Sequence, residues 1–199
     1  MNRLLVTIIV SIAFGGSALA QNIPDAELVS RVIKAKRTSE IPPQSFSSID
    51  KMNFIMGIPA RLFHYAVNSA DKDNAWQAIH HFRSMSDAGV SESFHIDCLE
   101  AMHKYPLIFY NRYMAGDDLA LKRMHDALTA DWTNDDATDI KAEKIYRKAI
   151  EQEISAIQAM KESSPAKTRR QQKYLATIQK EYALRKAQFK EVFGAMRID

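Results

Sequence analysis

Residues 163–196 read SSPAKTRRQQKYLATIQKEYALRKAQFKEVFGAM, and their spacing decides the fold. Leu175, Ile178, Tyr182, Arg185, Phe189, Val192 and Met196 alternate by three and four. That is the heptad seam of a helix lying along a partner helix. Ser163-Ser164-Pro165 is a tight turn: Ser164 suits the N-cap and Pro165 the first helical position, where its missing N–H goes unneeded. Upstream, residues 136–162 carry Ile145, Ala149, Ile150, Ile154 and Ile157 on one side of a second long helix. Two such helices joined by a short turn make an antiparallel αα-hairpin. Glu143 and Arg147, like Glu181 and Arg185, are i,i+4 pairs in the better orientation. Arg185 interrupts the apolar seam and has three candidate placements: against Glu143, against Glu153, or snorkelling outward.

Towards the N-terminus the spacing stays helical. Residues 25–37 form a first helix with Asp25 as cap, and residues 38–48, with Pro42-Pro43, a linker. Residues 49–58 form a helix, and Pro59 is expected to open the next. Ala75, Ala78, Ile79, Phe82 and Met85 line another helix, capped by Asp71 or Asp73 and closed by Gly89 in a left-handed cap. Ser91 is expected to start the helix that carries His95, Cys98, Leu99 and Met102 on one side. Tyr105-Pro106 marks a break. Gly116 stops residues 107–115, and Asp117 caps the helix of Leu121, Met124, Leu128 and Trp132. The residues 133–136, TNDD, are a loop with capping-box spacing. No run alternates in the manner of a strand.

A faint repeat sets Pro59, Phe63, Asp71, Trp76, Ile79 and His80 against Pro106, Tyr110, Asp117, Leu121, Met124 and His125. An offset in this range suits stacked helical hairpins. The expected architecture is therefore all-α: a solenoid-like helical-hairpin core over 21–132, followed by a long antiparallel αα-hairpin over 133–199.

Residues 1–20, MNRLLVTIIVSIAFGGSALA, read as a secretory signal peptide. Arg3 is the positive start, residues 4–14 the apolar run, and Ala18-Leu19-Ala20 the exit, with cleavage before Gln21. The run is too short for a membrane span. No transmembrane segment follows, and the expected location is periplasmic or secreted. The net charge of +3 falls to about +2 once Arg3 is removed, which argues for no general affinity for nucleic acid. Cys98 is the only cysteine, so the fold must hold without an intrachain disulfide.

Six histidines lie in the middle half of the chain, but neither H-E-x-x-H nor C-x-x-C-H occurs. His80 and His81 are adjacent and diverge around a helix. His95-x-x-Cys98, with His103 beyond, is the one spacing that resembles a metal motif. Catalysis would need a nucleophile elbow, a phosphate loop or a placed acid–base pair, and the sequence spells none of these. The carboxylate pairs Asp117-Asp118 and Asp135-Asp136 sit at helix starts, where capping explains them.

Interface chemistry is easier to find. Tyr105, Tyr110 and Arg112 lie in a dense aromatic stretch, and Tyr and Arg are favoured interface anchors. From Pro165 onward nine Lys or Arg face three acids, giving +6, with Arg169, Arg170 and Lys173 near the start. The expected function is that of an exported, non-enzymatic protein-binding module of the bacterial periplasm, inhibitor-, immunity- or chaperone-like. It would contact another envelope protein through Tyr105, Tyr110, Arg112, Arg169, Arg170 and Lys173, and anionic surfaces weakly. No cofactor is expected. The alternatives are a metal or haem binder using His95, Cys98 and His103, and an envelope hydrolase whose groups only folding would gather.

Overall fold

A computed structural model of the chain describes residues 23–129 and 140–193. The leader, Trp132, the 133–136 loop and Met196 lie outside the described residues, as do the side chains of Ile145 and Val192. Every regular element among the described residues is helical, so the protein is all-α. Two compact units divide at Phe94 and His95.

The first unit contains α1 (Asp25–Lys34), a 3-10 turn (Thr38–Glu40), α2 (Ser48–Asn68), α3 (Lys72–Met85) and the start of α4 (Ala88–Lys104). α1 and α2 both pack on α3. Leu28, Val32, Ile58, Leu62, Trp76 and Phe82 are fully buried between them. Phe63 meets the Trp76 ring edge-on at 6.3 Å and the Phe94 ring at 5.7 Å. Arg61 on α2 holds α1 through Asp25, with Nε 2.9 Å from Oδ1. The cap expected from Asp25 is therefore not made: Pro24 precedes the helix, and the Asp25 carboxylate serves Arg61 instead. His81 Nε2 lies 2.8 Å from the Ala35 carbonyl, at the open end of α1.

Two boundaries differ from expectation. Pro59 does not open a helix; it lies inside α2, which is continuous from Ser48 to Asn68. Ile55, Ile58, Leu62 and Phe63 are buried on both sides of the proline. Burial of four such side chains is worth more than the one backbone hydrogen bond the ring removes. Gly89 likewise ends nothing. The break falls at Ser86, whose backbone is extended, and Asp87 starts α4 by accepting from Val90 N at 3.2 Å. Gly89 then sits in the first turn of α4, ahead of the expected start at Ser91.

The second unit contains the rest of α4, α5 (Ile108–Met114), α6 (Asp118–Thr129), α7 (Ile140–Ala159) and α8 (Pro165–Phe193). α8 packs on α5, α6 and α7, and α5 packs on α6. The expected stop after α5 is present. Gly116 has φ +108, the Gly116 N–H donates to Tyr113 O at 3.0 Å, and the Asp117 N–H donates to Arg112 O at 3.1 Å. That pair of bonds is a Schellman cap, and its positive φ suits glycine. Asp117 then accepts from Leu119 N and Ala120 N. Ser164 caps α8 through Lys167 N at 3.3 Å, with Pro165 at the first helical position as expected.

Side-chain pairs run in opposite directions along α7 and α8. Gln171 Nε2 donates to Ile157 O at 2.7 Å, Tyr174 Oη to Glu153 at 3.1 Å, and Arg185 Nη2 to Glu143 at 2.7 Å. The two helices are thus antiparallel. Their seam begins earlier than the heptads suggest: Gln171 and Tyr174 are buried, and Leu175 is only half-buried. Gln171 is drawn inward because its amide also reaches Met160 O at 3.0 Å, filling carbonyls at the end of α7 that have no helical partner.

Candidate functional site

The buried polar groups of the second unit fall into separate small clusters. Arg185, 1% exposed, places Nε 3.1 Å and Nη2 2.7 Å from Glu143 Oε2. Arg147 adds Nε to Glu143 Oε1 at 3.2 Å. Of the three placements open to Arg185, the structure takes Glu143. Glu153, also 1% exposed, has the Tyr174 hydroxyl instead of a cation. Burial pushes its carboxyl from the ordinary 4.5 up to about 8, against the downward pull of the Tyr174 hydrogen bond. A recess of about 10 Å³ beside it is lined by Leu99, Met102, His103, Tyr146, Ala149 and Ile150. That is room for about one water molecule.

Several residues expected at a contact surface belong to this interior. Tyr110 is 2% exposed. Its hydroxyl donates to Glu162 and its ring meets Tyr174 edge-on at 5.2 Å. Burial, with Glu162 beside it, holds that phenol above its ordinary pKa. Tyr110 is therefore no exposed anchor. Arg170 is also occupied. Its guanidinium lies 4.0 Å from the Tyr113 ring centroid, Nε donates to Tyr113 O at 2.8 Å, and Nη2 to Asp118 at 2.8 Å. Stacked and bonded on both edges, it fastens α8 to α5 and α6. Tyr105 and Arg112 are half-buried, the latter 3.9 Å from Asp117. Of the expected contact residues, only Arg169 and Lys173 are exposed.

The candidate metal ligands are not brought together. Cys98 is fully buried, with Sγ 3.9 Å from Arg123 O. His95 is half-buried. His103 is exposed, its ring edge-on to Tyr146 at 6.3 Å. Among the described residues no three His, Cys, Asp or Glu side chains gather where one ion could be held. His125 lies 3.1 Å from buried Glu181 instead.

A surface that the sequence reading passed over lies on α2. Ile49 is 74% exposed, Met52 57% and Met56 36%. Asn53, Gly57 and Ala60 share the same exposed side. None of the six bears a charge, in a chain where 26% of residues do. The signal was available: residues 52–60, MNFIMGIPA, contain no charged side chain. A helix apolar all round must find cover on more than one face, yet α2 buries only one.

No family model matches the chain, and no curated protein or solved structure matches it. No described helix is long and apolar enough to cross a membrane.

Proposed function

We propose that the protein is an exported, non-enzymatic protein-binding module of the bacterial envelope, and that its partner docks on the uncharged face of α2. The observation that carries this reading is the row of exposed Ile49, Met52 and Met56 at helical spacing. Interface cores are depleted of charge and enriched in Met, and a flexible thioether adapts to an apolar groove. A face without charge would strand any ion a partner set against it. The fitting partner is therefore a protein that offers an apolar groove or helix free of charge at its centre. The titratable groups of the second unit fit a structural role, since Glu143, Glu153, Glu181, Arg170 and Arg185 each hold neighbouring elements together.

A photo-crosslinking residue placed at Met52, in cells, tests the reading. The expected product joins this chain to a different protein and disappears when Met56→Asp is added. A position-52 product made only of two copies of this chain, or no product at all, would overturn the proposal.

A further inference from the structure

The exposed side of α8 is a second surface, distinct from α2. Arg169, Lys173, Lys180, Lys186 and Lys190 are all exposed, and at helical spacing they fall within an arc of roughly 140°. Gln172, Ala176, Gln179, Ala183 and Ala187 are exposed in the same arc, and between Arg169 and Lys190 no acid falls within it. The described acids beside α8 are engaged, three of them buried: Glu143 by Arg185, Glu153 by Tyr174 and Glu181 by His125, with Asp118 held by Arg170 and Glu151 by Tyr182. Among the described residues none of the five cations enters an ion pair, though Lys186 Nζ lies 4.3 Å from the Tyr182 ring centroid. Arg170 and Arg185 are turned inward to acids, and these five cations are left on the exposed side.

We propose that this face lies flat on an anionic membrane surface and holds it by charge alone. The row from Arg169 to Lys190 is about 32 Å long on one helix, and α5, α6 and α7 brace it from behind. A plane meets all five cations at once, whereas a convex acidic protein meets only part of such a row. Four of the five are lysines, compact point charges suited to a diffuse field of phosphates rather than to paired recognition of one carboxylate. The alanines and glutamines between them keep the face low and uncharged. Leu184, 46% exposed, is the one large apolar side chain exposed among the described side chains of α8, residues 165–190, so the contact is adsorption without insertion. Lysine clusters of this size attract anionic lipid by about 1 kcal/mol per cation, a factor of about five, within a Debye length of the surface.

Lipid titration of the full chain with phosphatidylcholine vesicles, with and without phosphatidylglycerol, tests the proposal. Pure phosphatidylcholine reports any apolar binding by residues 4–14. The expected result is a partition coefficient more than about a hundredfold higher on the anionic vesicles, falling towards the neutral value as salt is raised. Lys173→Gln with Lys180→Gln should lower the anionic value by about 25-fold, five for each lysine, while Met52→Asp should leave it unchanged. Equal partition on both vesicles, a preference that salt does not erase, or full binding by the lysine double variant would overturn it. So would tighter capture by soluble polyphosphate than by the vesicles. None of these outcomes touches the α2 crosslink, so the two proposals fail separately.

Discussion

The Glu153 carboxyl lies on α7 with the Tyr174 hydroxyl of α8 at 3.1 Å and, among the described residues, no cation paired with it. His103 of α4 and Tyr146 of α7 border the same recess, and Tyr110 of α5 touches the Tyr174 ring. Desolvation is the larger effect on this group, and the single hydrogen bond does not offset it. In the folded chain the proton stays on until about pH 8, whereas the unfolded chain releases it near 4.5. The folded state therefore binds more protons across that window, and stability must fall as pH rises through it. The contribution is complete below about 4.5, declines to about 8, and is then constant. It amounts to a loss on the order of 5 kcal/mol. Glu153→Gln keeps the shape and removes the titration. Urea unfolding between pH 4.5 and 8 should show a much flatter stability curve for this variant than for the wild type. Parallel curves would mean that Glu153 already ionises at its ordinary pKa.

At the scale of helices, the α7–α8 pair is fastened by the ion pair between Arg185 and Glu143. Both residues are 1% exposed, so neither charge can return to water without the hairpin opening. A pair buried this deeply adds little net stability, but removing Glu143 strands a dry charge on Arg185, and removing Arg185 leaves buried Glu143 with Arg147 alone. Glu143→Leu alone is expected to cost about 3–5 kcal/mol, and Arg185→Met, which leaves Glu143 paired with Arg147, about 2–3 kcal/mol. Glu143→Leu combined with Arg185→Met should cost less than either single change, because the cavity becomes apolar on both sides. A double-mutant cycle read by circular dichroism in urea checks this, and simple addition of the two costs would refute it. Much at this scale was legible in sequence, because local chemistry writes it. Ser164, Pro165, Gly116 and Asp117 act within a turn of themselves, and each does what its spacing implies. Pro59 and Gly89 misled for the complementary reason. What surrounds Pro59 is packing against α3, and what displaces Gly89 is the carboxylate of Asp87. The contact residues were least legible. Tyr110 and Arg170 owe their burial to Tyr174, Glu162, Tyr113 and Asp118, partners no local pattern reveals, and Ile49 and Met52 look like core until the packed side of α2 is known.

Over the whole molecule, each compact unit has its own core, and the charges are unevenly spread between them. The first unit is ordered by aromatic packing around Trp76 and Phe63, with Arg61–Asp25 as its cross-tie. The second is ordered by a buried polar set that includes Glu143, Glu153, Gln171, Glu181 and Arg185. A core of that kind tolerates loss of a partner poorly. Opening should therefore begin in the second unit when its pairs are broken, and Cys98 offers a direct reading. The thiol is fully buried in that unit, in no disulfide, with its sulfur facing the Arg123 carbonyl. A buried thiol reacts only when the structure around it opens. Labelling by a thiol reagent should be slow in the wild type and at least tenfold faster in Arg185→Met, consistent with a loss of more than 1.4 kcal/mol in the opening free energy. Raising the pH across the Glu153 window should speed it further, after correction for the rising thiolate fraction of a model thiol. Arg61→Ala, which breaks the cross-tie of the first unit, should leave the labelling rate within about twofold of the wild type, the scatter expected of sites that do not share partners. Acceleration by Arg61→Ala equal to that by Arg185→Met would mean that the chain opens as one block, and that the polar set of the second unit has no special hold over its thiol.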